Sequence, residues 1–222
     1  MPDSVKKKSD ETRERIMKAA LEMFHDGGFE STTMRDIAAQ AGMATGAAYY
    51  YFDSKDAIVL AFYDRARAEM EPRLEQALAK SHDLKERLLG LIQVKLDYFA
   101  PGRKLLGALS AHTNPDSPLS PFSERTRAIR EHDIAFFDRA LRESRTPGPK
   151  DLRKYLPHLL WMYQMGIILF WIYDGSRGQA KTDFLLTKSI DIVVRLIKLS
   201  SLPLTGPIRR SVVQLMDTVL SN

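Results

Sequence analysis

Three His-Asp dipeptides are the residues of this sequence whose types could hold a catalytic metal ion. They are His25-Asp26, His82-Asp83 and His132-Asp133, and imidazole together with carboxylate can ligate a divalent cation that activates water. Two of the three pairs fall near predicted helix ends, where His and Asp are also common for capping and dipole reasons. No second ligand cluster accompanies them in one element, and the sequence has no Gly-rich phosphate loop, nucleophile elbow or HExxH motif. We therefore expect neither an enzyme nor a metal or cofactor site.

A second set of residues, between Thr33 and Lys55, has the spacing of a DNA-reading motif. Thr33 and Asp36 match a capping box, in which a hydroxyl and a carboxylate satisfy each other's backbone N–H groups at a helix start. Two helices of fewer than three turns follow, and such short helices are stable only when they cross closely. Gly42 lies between them, and glycine accepts the positive φ that a tight turn requires. The pattern predicts a helix-turn-helix whose second helix, from about Thr45 to Tyr51, enters the major groove.

This segment is similar to the signature of the tetracycline-repressor (TetR) family. The resemblance covers about residues 9–60 and is carried by residues 29–38, Ala41-Gly42-Met43, Gly46, residues 49–52 and Ser54-Lys55. It implies a transcriptional regulator, most often a repressor. Such a protein would bind a palindromic double-stranded DNA operator as a homodimer and be released by a small-molecule effector.

The resemblance also implies a role for individual residues of the motif. Thr33 would cap its helix beside a phosphate, the start of the second helix would face base edges, and the tyrosines would hold the sugar-phosphate backbone. Arg35 and Lys55 would supply cations, the latter at a helix N-terminus that already favours anions. The predicted DNA-binding residues are Thr33, Arg35, Thr45, Gly46, Ala47, Tyr49, Tyr50 and Lys55. Family members commonly have a serine where this chain has Ala44, so Thr45 is expected to take over as helix cap.

Composition places the chain among ordinary globular proteins and does not by itself argue for DNA binding. The net charge is +5, but residues 1–55 contain eight Lys and Arg against nine Asp and Glu, so this segment is net −1. Only individually placed cations can therefore attract DNA. The absence of cysteine excludes disulfides and favours the cytoplasm. The basic N-terminus has no apolar run behind it, so no secretory signal is expected.

Helical periodicity recurs along the whole chain, without the alternating pattern that is typical of strands. Helices are predicted at about residues 9–25, 33–42, 45–51, from 53 onward, 84–99, 103–112, 122–141, 152–173, 182–200 and 207–220. The predicted fold is all-α in two domains. Residues 1–55 would form a three-helix DNA-binding domain containing the helix-turn-helix, and residues 56–222 a helical bundle for ligand binding and dimerisation.

The predicted C-terminal domain supplies candidates for an effector site. Aromatic rings with polar tips at helical spacing can line a cavity and orient a ligand. The candidates are Tyr98, Phe99, His112, Phe136, Trp161, Tyr163, Gln164 and Trp171. The last two long helices are apolar on more than one face, which predicts an intersubunit four-helix bundle. Residues 156–173 are long enough to span a membrane, but Pro157 and Gln164 interrupt them, so a buried helix is predicted and no membrane partner.

Two other function classes remain open at this point. A DNA-binding regulator that needs no ligand, or an activator, could carry the same N-terminal motif, although the large C-terminal part favours a sensor. An HD-type metal-dependent hydrolase is a remote third, resting only on the three His-Asp dipeptides. Titration with ligand candidates separates these classes.

Overall fold

The computed structural model describes residues 2–110, 114, 116–146 and 148–220. These residues form ten α-helices, joined by turns and three short 3-10 segments, and contain no strand. The helices are α1 (Pro2–Gly27), α2 (Met34–Gln40), α3 (Thr45–Tyr51), α4 (Lys55–Ala79), α5 (Leu84–Phe99), α6 (Arg103–Leu109), α7 (Arg127–Arg142), α8 (Leu156–Tyr173), α9 (Ala180–Ser200) and α10 (Gly206–Leu220). The all-α prediction is confirmed.

The chain divides into two compact units by packing. The first unit contains residues 1–69 and 99–130, and the second contains residues 70–98 and 131–222. Helices α4 and α7 therefore contribute to both units. The sequence-based domain boundary falls at the beginning of α4, whereas the division by packing falls later in that helix. The first turns of α4 belong to the first unit because Ile58, Val59 and Phe62 are buried in its core.

The core of the first unit is built from distant parts of the chain. Ile16 and Phe24 of α1, Ile37 of α2 and Ile58 of α4 are fully buried at its centre. The same cluster includes Leu105 and Leu109 of α6, and Leu119 from the segment that precedes α7. Burial of each such side chain contributes on the order of 1.5–3 kcal/mol. Residues 99–130 therefore complete the core beneath the helix-turn-helix.

Charged side chains are buried in the second unit as compensated groups. The Lys95 ammonium on α5 donates to both carboxylate oxygens of Asp133 on α7, at 2.7 and 2.8 Å. Burial alone raises the pKa of Asp133, but Lys95 and His132 outweigh it and hold the pKa below its usual range. The buried guanidinium of Arg87 donates to the Ser81 carbonyl at 2.5 Å. Each of these buried charged groups therefore has hydrogen-bond partners that replace its contacts with water.

Two predicted helices begin later in the structure than in the sequence analysis. Helix α7 begins at Arg127 rather than Phe122. Hydroxyl groups cause the delay: the buried Thr126 Oγ1 donates to the Ser120 carbonyl at 2.6 Å, and Ser123 Oγ donates to the Pro118 carbonyl at 3.0 Å. Such bonds compete with helical pairing. Helix α8 begins at Leu156, and Pro157 is its second residue. Proline has no N–H, which is tolerated there because the N–H groups of the first helical turn have no partner within the helix.

Helix α8 is buried on one face only, which corrects the prediction of a buried helix. It is long and apolar enough to cross a membrane by length and composition, and 39% of it is buried inside the fold. Core helices pass the same test, so this property is weak evidence for a membrane span. The exposed apolar side chains of α8 are Leu159, Met162, Leu169, Phe170 and Tyr173. Helix α9 likewise exposes Phe184, Ile192, Leu196 and Leu199.

Candidate functional site

The start of α2 is fixed by the predicted capping box. The Asp36 backbone N–H donates to Thr33 Oγ1 at 3.3 Å, and the Thr33 backbone N–H donates to Asp36 Oδ2 at 3.1 Å. The Thr33 hydroxyl also donates to that carboxylate at 2.5 Å. This hydroxyl bond, with the backbone bond, holds the pKa of Asp36 below its usual range. The exposed Thr33 side chain therefore has a fixed orientation at the end of the motif.

The turn between α2 and α3 depends on Gly42. Its φ is +67°, and the Met43 N–H donates to the Ala38 carbonyl at 2.9 Å. A Cβ at Gly42 would meet no atom within 4 Å, so backbone conformation rather than space requires glycine. The predicted turn is confirmed. It turns the chain so that α3 packs on the first-unit core through Ala48, while Phe52 follows as a buried C-cap.

The opposite face of α3 is exposed. Tyr50 is 84% exposed and Tyr49 50% exposed, whereas the preceding residue, Ala48, is fully buried. Gly46 and Ala47 are exposed at the N-terminal turn, and Thr45 is partly buried. A short helix that presents two aromatic rings and small residues outward has the form of a major-groove reading surface.

The N-terminus of α3 differs from the sequence-based expectation. Ala44 is the N-cap and no side-chain hydrogen bond caps this end, so the prediction that Thr45 caps the helix is wrong. Thr45 lies in the first turn instead. Its hydroxyl makes no hydrogen bond to the part of the chain that the structure describes, so it stays available to a nucleic acid.

Lys55 occupies a different position from the one expected for a phosphate ligand. Its ammonium donates to the carbonyls of Phe29 at 2.6 Å, Glu30 at 3.2 Å and Thr32 at 3.2 Å. It also lies 4.4 Å from the centre of the Phe29 ring. An ammonium has three N–H donors, and all three are used within the protein. Lys55 therefore connects the segment before α2 to the start of α4, and its contact with phosphate stays a prediction.

Arg13 is a positioning residue of the recognition helix that the sequence analysis did not identify. Its guanidinium donates to the Tyr51 carbonyl at 3.1 Å and stacks 4.2 Å from the centre of the Phe52 ring. Arg13 therefore holds the C-terminal end of α3 against α1. Its spacing could have indicated this, because Arg13, Ile16 and Phe24 share one stripe of α1.

Two other sets of cations are open to solvent near the motif. Arg35 on α2 is exposed, as predicted for a phosphate ligand, and its contact with DNA stays a prediction. Lys7 and Lys8 on α1 are exposed as well. These exposed side chains are candidates for contact with phosphate.

The predicted effector residues fall into different environments. Phe136, Trp161, Gln164 and Trp171 are buried in the second unit. Tyr98 and Tyr163 are partly buried, and the Tyr163 hydroxyl lies 2.6 Å from Ser189 Oγ. Phe99 belongs to the first unit, where it packs edge-on at 6.1 Å from Phe62, so its grouping with the others is corrected. His112 lies outside the described residues. Their contact with a ligand stays a prediction.

The His-Asp dipeptides do not assemble into one site among the described residues. His25 pairs with its own neighbour Asp26 at 2.7 Å, and His132 lies 3.5 Å from Glu71. The His82 ring lies 3.1 Å from the Glu143 carbonyl. Within the described ranges no group of three or more His, Cys, Asp or Glu side chains could hold a metal ion.

Comparison with known proteins agrees with this geometry. Residues 16–62 match the profile described as bacterial regulatory proteins, tetR family, and residues 87–215 match the tetracyclin repressor-like C-terminal domain. The HTH-type transcriptional repressor BepR of Brucella suis is 28% identical over 131 residues, which cover 57% of this chain and 63% of BepR. The chain therefore aligns with less than two thirds of that relative's length.

Solved structures show the same fold. A TetR transcription regulator from Haloarcula marismortui superposes with a TM-score of 0.66 at 18% identity, covering 85% of this chain and 98% of its own. The SmeT–triclosan complex superposes with a TM-score of 0.61 at 21% identity, covering 82% and 90%. The C-terminal match alone spans more than half of the sequence. The chain belongs to the TetR family of transcriptional regulators, a family of DNA-binding proteins and not of enzymes.

Proposed function

We propose that this protein is a homodimeric repressor that binds a palindromic DNA operator in the cytoplasm and is released by a small, largely apolar effector. The observation that carries the proposal is the two-sided α3 helix. Its buried side is fixed to the core through Ala48, and its open side presents Thr45, Tyr49 and Tyr50. A side chain as large as Tyr50 has no packing reason to be 84% exposed.

Readout of the operator would combine few base contacts with several backbone contacts. Gly46 and Ala47 have no hydrogen-bonding side chains, so thymine methyl groups and close backbone approach would supply much of the direct readout there. Thr45 adds one free hydroxyl. Tyr49, Tyr50 and Arg35 would fix the register on the sugar-phosphate backbone. One such helix reads only a few base pairs, so two copies are needed for a specific site.

The exposed apolar faces of α8 and α9 support dimerisation. Contiguous apolar surface of this kind marks an interaction site in a protein that remains in water. Charged residues lie along α9 between the apolar ones, Lys188 and Arg195 among them, and charges on a lipid-facing surface are costly. A second copy of the same two helices would bury these apolar residues. We therefore assign the surface to a partner protomer rather than to a membrane.

Release by an effector would act through the spacing of the two recognition helices. These must lie about 34–36 Å apart on DNA, so a small displacement of one of them prevents simultaneous contact. Helix α4 contributes residues to both units and begins three residues after Phe52, so it is the element that would transmit the change. The related SmeT has been solved with triclosan, a small apolar compound. A coupling of about 1–3 kcal/mol is usual for such regulators.

Selection of binding sites from random duplex DNA with the purified full chain tests the proposal. We expect a palindromic sequence with half-sites one helical turn apart, and an affinity that falls steeply with salt. Arg35→Ala removes one cation from each protomer of the dimer and is expected to reduce the slope of log K against log salt by about 2. Arg177→Ala, an exposed arginine of the second unit, is the matched control and should leave the slope unchanged. A monomer that selects no sequence would contradict the proposal.

Titration of an identified effector with and without operator DNA separates a sensor from a ligand-independent regulator. Because binding linkage is reciprocal, operator DNA must weaken effector binding by the same factor by which the effector weakens DNA binding. Equal effector affinities in both titrations would leave a DNA-binding dimer without a sensor role.

A further inference from the structure

Gln164 differs from the other buried polar side chains of the described part of the chain. It is 1% exposed on α8, and neither its Nε2 nor its Oε1 has a hydrogen-bond partner. The remaining buried polar side chains, such as Lys95, Asp133 and Thr182, all make hydrogen bonds. A buried amide without partners costs on the order of 1–3 kcal/mol for each unpaired group. Such a cost needs an explanation, and a ligand that supplies the missing bonds is one.

The surroundings of Gln164 on α8 are apolar and aromatic. Trp161 lies three residues before it, Trp171 seven residues after it and Ile167 three residues after it, and all are buried on the same helical face. A group bound to the amide would therefore be flanked by indole rings and aliphatic side chains. This is the composition of a small-molecule site, with a mostly apolar wall and one polar group that fixes orientation.

The charged groups of the second unit do not offer a free charge to a ligand at this depth. Lys95 and Asp133 neutralise each other at 2.7 Å. Buried Arg87 donates to two backbone carbonyls and to Glu143 at 3.1 Å. A ligand with a net charge would lose its hydration in this interior and find no counter-charge, which is energetically unfavourable. The effector's buried end is therefore expected to be neutral.

We propose that Gln164 binds the polar end of the effector, and that this end is an uncharged group with a donor and an acceptor side by side, namely an amide or a protonated carboxylic acid. The inference rests on the proposed sensor function. A primary amide donates from Nε2 and accepts at Oε1, and a coplanar partner of this kind satisfies both atoms at once. A carboxylate leaves Oε1 unpaired, and an ester leaves it unpaired for the same reason, because neither has a donor.

The stability of the ligand-free protein provides the first test. Gln164→Met keeps the length of the side chain and removes both unpaired atoms, so the melting temperature of the purified dimer is expected to rise by about 2–4 °C. Gln214→Met on α10, where the glutamine is exposed, is the matched control and should leave it unchanged. A melting temperature below that of the wild type would show that Gln164 holds the structure together, and would overturn the proposal.

Ligand binding provides the second test. The sequence contains two tryptophans, Trp161 and Trp171, so tryptophan fluorescence excited selectively over tyrosine reports from α8. We would titrate octanamide, methyl octanoate and octanoate at pH 8 into the wild type and both variants. Octanamide is expected to bind the wild type and Gln214→Met about tenfold more tightly than the ester, and Gln164→Met is expected to lose this preference.

Each other outcome of the titration counts against the proposal. Equal binding of amide and ester to the wild type, an amide preference that survives in Gln164→Met, or no saturable change with octanamide would overturn it. Selection of an operator by the same preparation is an independent readout of the proposed function. A protein that binds its operator yet shows no amide preference would refute the role of Gln164 alone, whereas a failure to select DNA would refute the regulator.

Discussion

Replacement of Lys55 by methionine separates the structural role of this residue from the phosphate-binding role that the family resemblance implies. The ammonium donates to three carbonyls, at 2.6, 3.2 and 3.2 Å, and lies 4.4 Å from the centre of the Phe29 ring. Lys55→Met keeps the stem and removes the charge and the donors. The variant is therefore expected to lose hydrogen bonds while retaining most of the apolar contact.

The expected loss follows from the geometry. A hydrogen bond to a charged group contributes about 1.5–3 kcal/mol, but the three bonds share one partly exposed ammonium, and the freed carbonyls gain water. We take about 2–4 kcal/mol in the free energy of unfolding as the expected cost, including loss of the contact with the Phe29 ring. Urea denaturation of the full chain measures it. Lys18→Met, an exposed lysine of α1, is the matched control and should change it by less than about 0.5 kcal/mol.

The two roles predict opposite patterns. If Lys55 fastens the segment before α2, Lys55→Met lowers stability, and operator binding under conditions where the variant is folded falls little. If Lys55 binds phosphate, the variant unfolds at the same urea concentration as Lys18→Met while the salt slope of DNA binding by the dimer falls by about 2. The second pattern would refute the assignment made from the structure.

Three further changes test the fold and the motif. Phe52→Ala is expected to lower the free energy of unfolding by about 3–5 kcal/mol, whereas Tyr50→Ala should leave it unchanged and weaken operator binding; equal urea midpoints would contradict this. Gly42→Ala should cost about 1–2 kcal/mol because of its φ of +67°. Asp133→Asn leaves the Lys95 ammonium without a counter-charge and should lower the free energy of unfolding by about 3–5 kcal/mol at pH 7. The lowered pKa of Asp133 stabilises the wild type above pH about 4, and this contribution is lost as the pH falls further, which acid titration by circular dichroism checks.

Features set by neighbouring residues could be predicted from the sequence. The capping box of Thr33 with Asp36 spans three residues, and the turn at Gly42 needs only its own backbone conformation, so both were confirmed. The two sides of α3 also follow from local spacing. The three-helix motif and its approximate limits can therefore be predicted from short segments of the sequence.

Features set by distant residues could not be predicted. The Lys55 ammonium donates hydrogen bonds to carbonyls 23 to 26 residues earlier in the chain. A local sequence pattern does not indicate contacts over that separation. Phe99 packs on the first-unit core although it ends a helix assigned to the second. The beginning of α7 depends on hydroxyl bonds from Ser123 and Thr126 that compete with helix formation. In each case the structure depends on tertiary contacts, which a local sequence pattern does not indicate.

The contribution of Leu105, Leu109 and Leu119 to the first-unit core has a consequence for biosynthesis. The helix-turn-helix is translated before residues 105–119, and its core is complete only when residue 119 has left the ribosome. At about 5–20 residues per second, the roughly 50 residues after Glu69 take about 3–10 s to synthesise. During that interval the nascent chain exposes the apolar surface that these leucines later cover. The helix-turn-helix therefore completes its folding only after a later part of the chain has been translated.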